Sequence, residues 1–178
     1  MEKFHNKYRI PSTRARFWDY SSDGLYFITI CAYNRQMIFG EIENQTMILS
    51  AIGEITLQEW NRSFEIRREL FCDAFIIMPN HLHAIVRIVN DVETHGRASL
   101  RKYTGIAYRP PKSISSFVAG FKSAATTKIN IYRNMPHEPV WQPRFHDRII
   151  RNHEEYLLKK NYIHKNPSKW HTRNYLNS

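Results

Sequence analysis

The sequence predicts one α+β domain with a ferredoxin-like βαββαβ order of elements, an antiparallel sheet and an extra C-terminal helix. Three observations favour this fold. A nearly continuous apolar run over residues 70–78 is followed by the turn pair Pro79-Asn80 and a strand pattern over 82–89, which predicts a central hairpin. Helical patterns flank the hairpin on both sides, and strand patterns lie beyond them. A last helical run follows the final strand.

The first half of the chain supplies the first strand and the first helix. Residues 25–32 are rich in aromatic and β-branched side chains and follow a Ser-Ser-Asp-Gly turn, which predicts a strand. A short second strand is predicted at Thr46–Leu49. Ser50 then fits the N-cap of a helix that runs to about residue 68. The buried side of that helix is expected to hold four apolar residues: Ile52, Ile55, Leu57 and Trp60.

The second half begins with a long loop. Residues 90–111 lack periodicity and end in two prolines, and loops of this length are usually functional or disordered. From residue 113 to about 133, apolar residues recur at helical spacing. These features predict a helix that follows the loop and returns the chain to the sheet.

The chain is expected to end in a strand and a helix. The strand runs through Ile149-Ile150. Glu154 and Glu155 then open the last helix, where acidic side chains complement the helix dipole. Pro167 predicts that this helix ends near Asn166.

Alternation along the second hairpin strand assigns its two faces. One face is apolar and suits packing beneath helices: Leu82, Ala84, Val86 and Ile88. The other face carries three polar side chains and one apolar one: His81, His83, Ile85 and Arg87. The pattern fits a sheet that is covered on one face and open on the other.

Composition limits the classes of function. The 178 residues predict a single domain, with a core from about 24 to 170, a basic N-terminal arm and a C-terminal tail. A formal net charge of +10 favours a polyanionic partner, although a merely soluble basic surface would have the same charge. The sequence shows neither a membrane-spanning apolar run nor a signal-like segment, so we expect a cytoplasmic protein without a membrane partner. Cys31 and Cys72 lie in strand patterns and are expected to be buried free thiols.

Basic residues mark candidate DNA contacts. In the long loop, tyrosines 103 and 108 alternate with basic side chains, a mixture that suits single-stranded nucleic acid, although a solvated loop would look the same. The second helix and the segment before the last strand add further cations. The predicted DNA-binding residues are Arg101, Lys102, Arg109, Lys122, Lys128 and Arg144.

The most informative pattern joins two elements. On a strand, His81 and His83 point to the same face and can present two imidazole nitrogens to one cation. On a helix, Tyr162 and Asn166 also share a face, and the Asn166 amide oxygen could be a further ligand. Two imidazoles are softer than the oxygen ligands that Mg²⁺ prefers, so we expect Mn²⁺ to bind at least as well. Neighbouring lysines would favour the phenolate, the nucleophilic form of Tyr162.

Three ordered segments resemble a known family. Residues 75–89 around His81-Leu82-His83, the segment 140–145 and the segment 162–167 are similar to the single-tyrosine HUH transposases, above all the REP-associated tyrosine transposases. HUH stands for histidine, hydrophobic residue, histidine. The resemblance implies that His81, His83 and Asn166 bind Mg²⁺ or Mn²⁺. It also implies that Tyr162 is the nucleophile.

The same resemblance implies a reaction and a substrate. Members of the family that the sequence resembles cleave single-stranded DNA and transfer the strand through a 5′-phosphotyrosine, often at hairpin-forming repeats. Some act as homodimers and others as monomers, so both states remain open. Insertion-sequence relatives carry Gln where this chain has Asn166, whose shorter amide reaches less far.

Two other functions share some of these features. A non-catalytic RRM-like module would have the sheet and the basic loop, but it does not account for His81, His83 and Tyr162 together. A HUH replication initiator or relaxase is the second alternative. Relaxases usually place the tyrosine before the histidines, and initiators often carry a further domain.

Overall fold

The computed structural model describes residues 19–90 and 112–170, together with the backbone of two short strands near the start of the chain. Those two strands, β1 (Lys3–Phe4) and β2 (Lys7–Tyr8), pair with each other in an antiparallel hairpin. The other strands are β3 (Gly24–Cys31), β4 (Gly40–Glu43), β5 (Thr46–Leu49), β6 (Leu70–Met78), β7 (His81–Ile88) and β8 (His146–Ile150). The α-helices are α1 (Ala51–Ile66), α2 (Ile114–Arg133) and α3 (His153–His164).

The main sheet has four antiparallel strands in the order β6-β7-β3-β8. Helix α1 lies between β3 and β6 in the chain, and α2 lies between β7 and β8. This order of strands and helices is the ferredoxin-like βαββαβ arrangement, so the predicted α+β fold is confirmed. The predicted short strand at Thr46–Leu49 is also present and forms a separate hairpin with β4.

Helix starts follow the capping chemistry of the sequence. The Ser50 hydroxyl accepts a hydrogen bond from the Gly53 backbone N–H at 3.1 Å, which fixes the first turn of α1. At the start of α2, Ser113 and Ser116 bond to each other's backbone N–H groups in a reciprocal capping box. Both helices therefore begin where a serine satisfies the otherwise unpaired amides.

The main core lies between the sheet and helices α1 and α2. Trp60 of α1 stacks on Phe75 of β6 with ring centroids 4.4 Å apart. The same indole meets Phe117 and Phe121 of α2 edge-on, at 5.4 and 5.2 Å. Because these residues join two helices and a strand, this aromatic cluster fixes both helices on one face of the sheet.

The other face of the sheet differs from the prediction, because α3 lies across it. Ile163 of α3 and Ile85 of β7 are both fully buried, in a small cluster with Ala74 and Ile150. Helix α3 is polar over most of its surface, and Ile163 is its one buried residue. Such a helix carries almost no apolar stripe, so the sequence pattern could not show that it covers the sheet.

Two smaller expectations were wrong, and one strand was missed. The last helix ends at His164, close to the predicted end, but Asn166 lies beyond the helix that was expected to carry it, just before a 3₁₀ turn at Pro167–Lys169. Cys72 is exposed, because it lies on the outer strand β6. Strand β4 was not predicted, since only one of its four residues, Ile42, is buried. In residues 19–90 and 112–170, no helix combines the length and apolarity needed to cross a membrane.

Candidate active site

Two histidines of β7 converge at one end of the sheet. His81 follows the Pro79-Asn80 turn directly, and His83 lies two residues further along the same strand, so both project from the same face. Their Nε2 atoms are 3.1 Å apart. His83 is buried and His81 is half-buried. The predicted pairing of the two imidazoles is therefore present.

The opposite nitrogen of each ring also has a partner. Nδ1 of His81 lies 2.7 Å from the Asn80 side-chain oxygen, and Nδ1 of His83 lies 2.8 Å from the Thr29 hydroxyl. A carbonyl oxygen can only accept, so Nδ1 of His81 donates and its Nε2 retains a lone pair. Contacts of this kind fix the ring orientation and the tautomer of histidines that bind metals.

Helix α3 brings Tyr162 to the histidines. Its hydroxyl lies 3.3 Å from Nε2 of His83. Phe27 of β3 stacks on His83 at 5.3 Å and meets the Tyr162 ring edge-on at 6.1 Å. The helix itself is anchored by Ile163 and by the ion pair between Arg148 and Glu155, at 2.9 Å. Tyr162 is thus held by its neighbours on three elements, β3, β7 and α3.

Asn166 is buried, with 2% of its surface exposed. In the sequence it lies four residues after Tyr162 and four before Trp170, whose ring centroid is 5.9 Å from that of His81. The buried Nδ2 atom of Asn166 has no hydrogen-bond partner among the residues that the structure describes. Rotation of the amide exchanges its nitrogen and oxygen, so this orphaned position can present an oxygen ligand.

The residues present fit a divalent cation. Two nitrogens bound at about 2.0–2.1 Å to one cation are separated by roughly 2.9 Å at a right angle and roughly 3.3 Å at a tetrahedral angle. The observed separation of 3.1 Å between the Nε2 atoms falls between these values. The described residues contain no cluster of three His, Cys, Asp or Glu side chains that could hold a metal. The further ligands would then be oxygen atoms, from the Asn166 amide, a substrate phosphate and water.

Cys31 lies opposite His81 in the register of β3 and β7. Burial raises the pKa of its thiol above the usual value, with Arg35 and Lys122 opposing that rise. The raised pKa disfavours the thiolate, which is the form of cysteine that binds metals.

The predicted DNA-binding residues fall into two groups. Arg101, Lys102 and Arg109 lie in the segment 91–111, outside the described residues. Lys122 donates to the Gln142 carbonyl, Lys128 pairs with the buried Glu59 carboxylate, and Arg144 is exposed just before β8. Both lysines belong to α2, which packs on the face of the sheet opposite His83. Their contact with DNA remains a prediction.

Sequence reasoning missed four residues around the site: Phe27, Thr29, Asn80 and Trp170. Thr29 and Phe27 are visible only once β3 is placed beside β7, because Thr29 pairs with His83 in that register. Asn80 had a local signal, since it directly precedes His81, but it was interpreted only as a turn residue.

Comparison with known proteins gives a relative and a fold. No model of a known protein family matches the chain. An uncharacterised protein of Haemophilus influenzae is 36% identical over 163 residues, which cover 89% of this chain and 88% of that protein. The two proteins belong to one family.

The solved structure of a REP-associated tyrosine transposase bound to a REP hairpin superimposes with a TM-score of 0.59. The match covers 89% of this chain and 74% of that one, at 19% identity. This chain has the fold of a REP-associated tyrosine transposase. At this identity the likeness concerns the fold, and the chemistry of this protein depends on the side chains that its own sequence places in the site.

Proposed function

We propose that this protein is a metal-dependent transposase that cleaves and rejoins single-stranded DNA through a covalent 5′-phosphotyrosine on Tyr162. One observation carries the proposal: the Tyr162 hydroxyl lies 3.3 Å from Nε2 of His83, which lies 3.1 Å from Nε2 of His81. A nucleophile and two metal ligands thus meet at one point. An RRM-like binding module requires none of these three groups.

The proposed reaction exchanges one phosphodiester for another. The Tyr162 oxygen attacks phosphorus, the bond from phosphorus to the 3′-oxygen breaks, and the phenolic proton is balanced by the proton that the 3′-hydroxyl gains. Attack by a 3′-hydroxyl then reverses the step on another strand. Because the phosphotyrosine linkage conserves the energy of the broken phosphodiester, no nucleotide cofactor is needed.

The residues of the site divide the work. His81, His83 and Asn166 would hold Mg²⁺ or Mn²⁺, which when bound supplies charge stabilisation at a phosphate oxygen. Asn80 and Thr29 hold the two imidazoles by their Nδ1 atoms, at 2.7 and 2.8 Å. If both Nε2 lone pairs bound the cation, the Tyr162 hydroxyl, which now lies 3.3 Å from Nε2 of His83, would be available to face the phosphate. Phe27 limits the motion of both rings.

The substrate follows from charge and fold together. The net charge of +10 favours a nucleic acid, and the relative of known structure is bound to a REP hairpin. We propose hairpin-forming single-stranded DNA as the substrate and the whole chain as one domain that acts in the cytoplasm, as a monomer or a homodimer. Arg101, Lys102, Arg109 and Arg144, with Lys122 and Lys128, are the proposed DNA contacts.

The test is capture of a covalent protein–DNA adduct. A pool of labelled hairpin oligonucleotides with randomised single-stranded flanks is incubated with the protein and Mn²⁺, and adducts are resolved on a denaturing gel. Tyr162→Phe should abolish the adduct and retain hairpin binding, since only one hydroxyl is lost. Tyr156→Phe is the matched control: it lies on the same helix, and its hydroxyl contacts Lys160 at 3.2 Å. An adduct that survives in Tyr162→Phe would assign the nucleophile to another residue.

A further inference from the structure

A cleft of about 480 Å³ runs along β8, which is the edge strand of the sheet opposite β6. Its walls come from β3, from β8 and the residues that follow it, and from α3. The side chains that matter here are Phe27, Thr29, His146, Arg148, Arg151 and Lys159. The proposed reaction uses none of the last four.

The cleft shares a wall with the candidate active site. Thr29 lines the cleft and bonds through its hydroxyl to Nδ1 of His83. Phe27 also lines it and stacks on the same imidazole. One layer of side chains therefore separates the cleft from the point where Tyr162 meets His83. A strand held at that point can place its next phosphate beyond this wall, because successive phosphates are only one nucleotide apart.

The charge of the cleft is positive. Arg148 is balanced by Glu155, which also accepts the backbone N–H of Arg151 at 3.1 Å. Among the described residues that line the cleft, Asp147 is the one carboxylate, and it is buried, with 6% of its surface exposed. Across residues 19–90 and 112–170, no carboxylate forms an ion pair with the side chains of Arg151 or Lys159. These two cations therefore dominate the field that a ligand would meet.

The aromatic lining does not favour bases. Phe27 already stacks on His83, meets Tyr162 edge-on and carries the Lys159 ammonium 4.8 Å from its ring centroid. Little of this ring remains for stacking on a nucleobase. An anionic group that meets Arg151 and Lys159 suits the cleft better, and on a DNA strand that group is the phosphate.

We propose that the β8 cleft binds the backbone phosphate next to the one that Tyr162 attacks, with Arg151 and Lys159 as its ligands. The inference rests on the proposed function and adds a second contact point for the strand. Two fixed phosphates set the orientation of the attacked one, whereas a single contact leaves the strand free to rotate. Because both ligands read the backbone, this subsite is independent of base sequence.

The experiment combines protein and DNA changes in a Tyr162→Phe background with EDTA, so that only binding is measured. The DNA is a hairpin oligonucleotide that forms the adduct in the pool experiment above. A single neutral methylphosphonate replaces each of its linkages in turn. Arg151→Gln with Lys159→Gln is the test variant. Arg62→Gln, an exposed arginine of α1, is the control. We expect the double variant to bind more weakly and to lower the salt slope of binding by about 0.7, the value for one phosphate that is no longer neutralised.

The deciding result is the coupling between the two changes. At one or two linkages beside the cleaved one, the methylphosphonate should weaken binding by the unaltered cleft and have no further effect on the double variant. The Arg62→Gln control should show the full methylphosphonate effect at every linkage. Additive effects everywhere, or a double variant that binds like the control, would overturn the subsite. Absence of any adduct from the unmodified protein with Mn²⁺ would instead count against the proposed function.

Discussion

The two faces of the sheet solve opposite problems. Beneath α1 and α2 lies a continuous apolar cluster that includes Trp60, Phe117, Phe121 and alternate side chains of β3 and β7. Between α3 and the sheet, four buried apolar residues cluster among those that the structure describes, and His83 and Tyr162 meet beside them. Since buried apolar area is the main source of stability, the first face stabilises the fold and the second is free to hold polar groups.

The comparison holds within a single strand. Along β7, Leu82 and Ala84 are fully buried among apolar side chains, whereas His83 between them is buried with a hydroxyl, an imidazole and a phenol as neighbours. A shift of register by one residue would exchange these environments. The strong apolar side of the strand therefore determines where the weak polar side places its histidines.

Replacement of either histidine should have the largest effect on activity. His81→Ala and His83→Ala are each expected to abolish Mn²⁺- or Mg²⁺-dependent adduct formation, because each removes one of two nitrogen ligands. Urea denaturation should show a loss of only about 1–2 kcal/mol, the scale of the hydrogen bonds removed. EDTA should reproduce the activity loss, and His164→Ala, an exposed histidine of α3, should behave like the unmodified protein.

Two results would contradict this expectation. Full activity in EDTA would remove the metal from the reaction. A loss of stability near that of a core truncation would instead identify the histidines as structural residues.

The hairpin and the site differ in how far the sequence could predict them. The bounds of β6 were predicted correctly because Leu70–Met78 is apolar except at Asp73 and is closed by Pro79. The pairing of His81 with His83 followed from strand periodicity alone. Placement of Tyr162 beside them did not, since α3 docks through Ile163 and lacks an apolar stripe. Thr29 was missed because its role depends on the register between β3 and β7, which no local pattern encodes.

A truncation on the other face should show the opposite behaviour. Phe121 is 1% exposed and packs against both Trp60 and Trp141. Phe121→Ala should lower the free energy of unfolding by about 3–5 kcal/mol, as measured in urea, through lost burial and the cavity that remains. The folded fraction should keep its affinity for Mn²⁺.

The milder Phe121→Leu serves if the alanine variant does not fold, and it should show the same division at a smaller cost. A change in Mn²⁺ affinity in the folded leucine variant would mean that the two faces of the sheet are coupled.

Thr29 offers a finer test on the site face. Thr29→Val keeps the shape of the side chain and removes the hydroxyl that lies 2.8 Å from Nδ1 of His83. Loss of such an orienting contact typically weakens metal binding by about 10–100-fold, so we expect this range in a Mn²⁺ titration. Thr29→Ser retains the hydroxyl and should restore most of the affinity. Equal Mn²⁺ affinity in the valine and serine variants would show that the hydroxyl does not orient His83.

The smallest expected effect concerns strand binding by the loop predicted at residues 90–111. Arg101→Ala, Lys102→Ala and Arg109→Ala together remove three cations from the long loop, outside the described residues. If each meets one phosphate of a single strand, the slope of log affinity against log salt should fall by about 2. The rate of adduct formation at saturating DNA should not change, because Tyr162, His81 and His83 are untouched.

A hairpin with single-stranded flanks should bind more tightly than a matched duplex, since unpaired bases can stack on Tyr103 or Tyr108 for about 1–3 kcal/mol each. An unchanged slope, or equal affinity for duplex and single strand, would remove these three residues and the two tyrosines from the proposed DNA-binding surface.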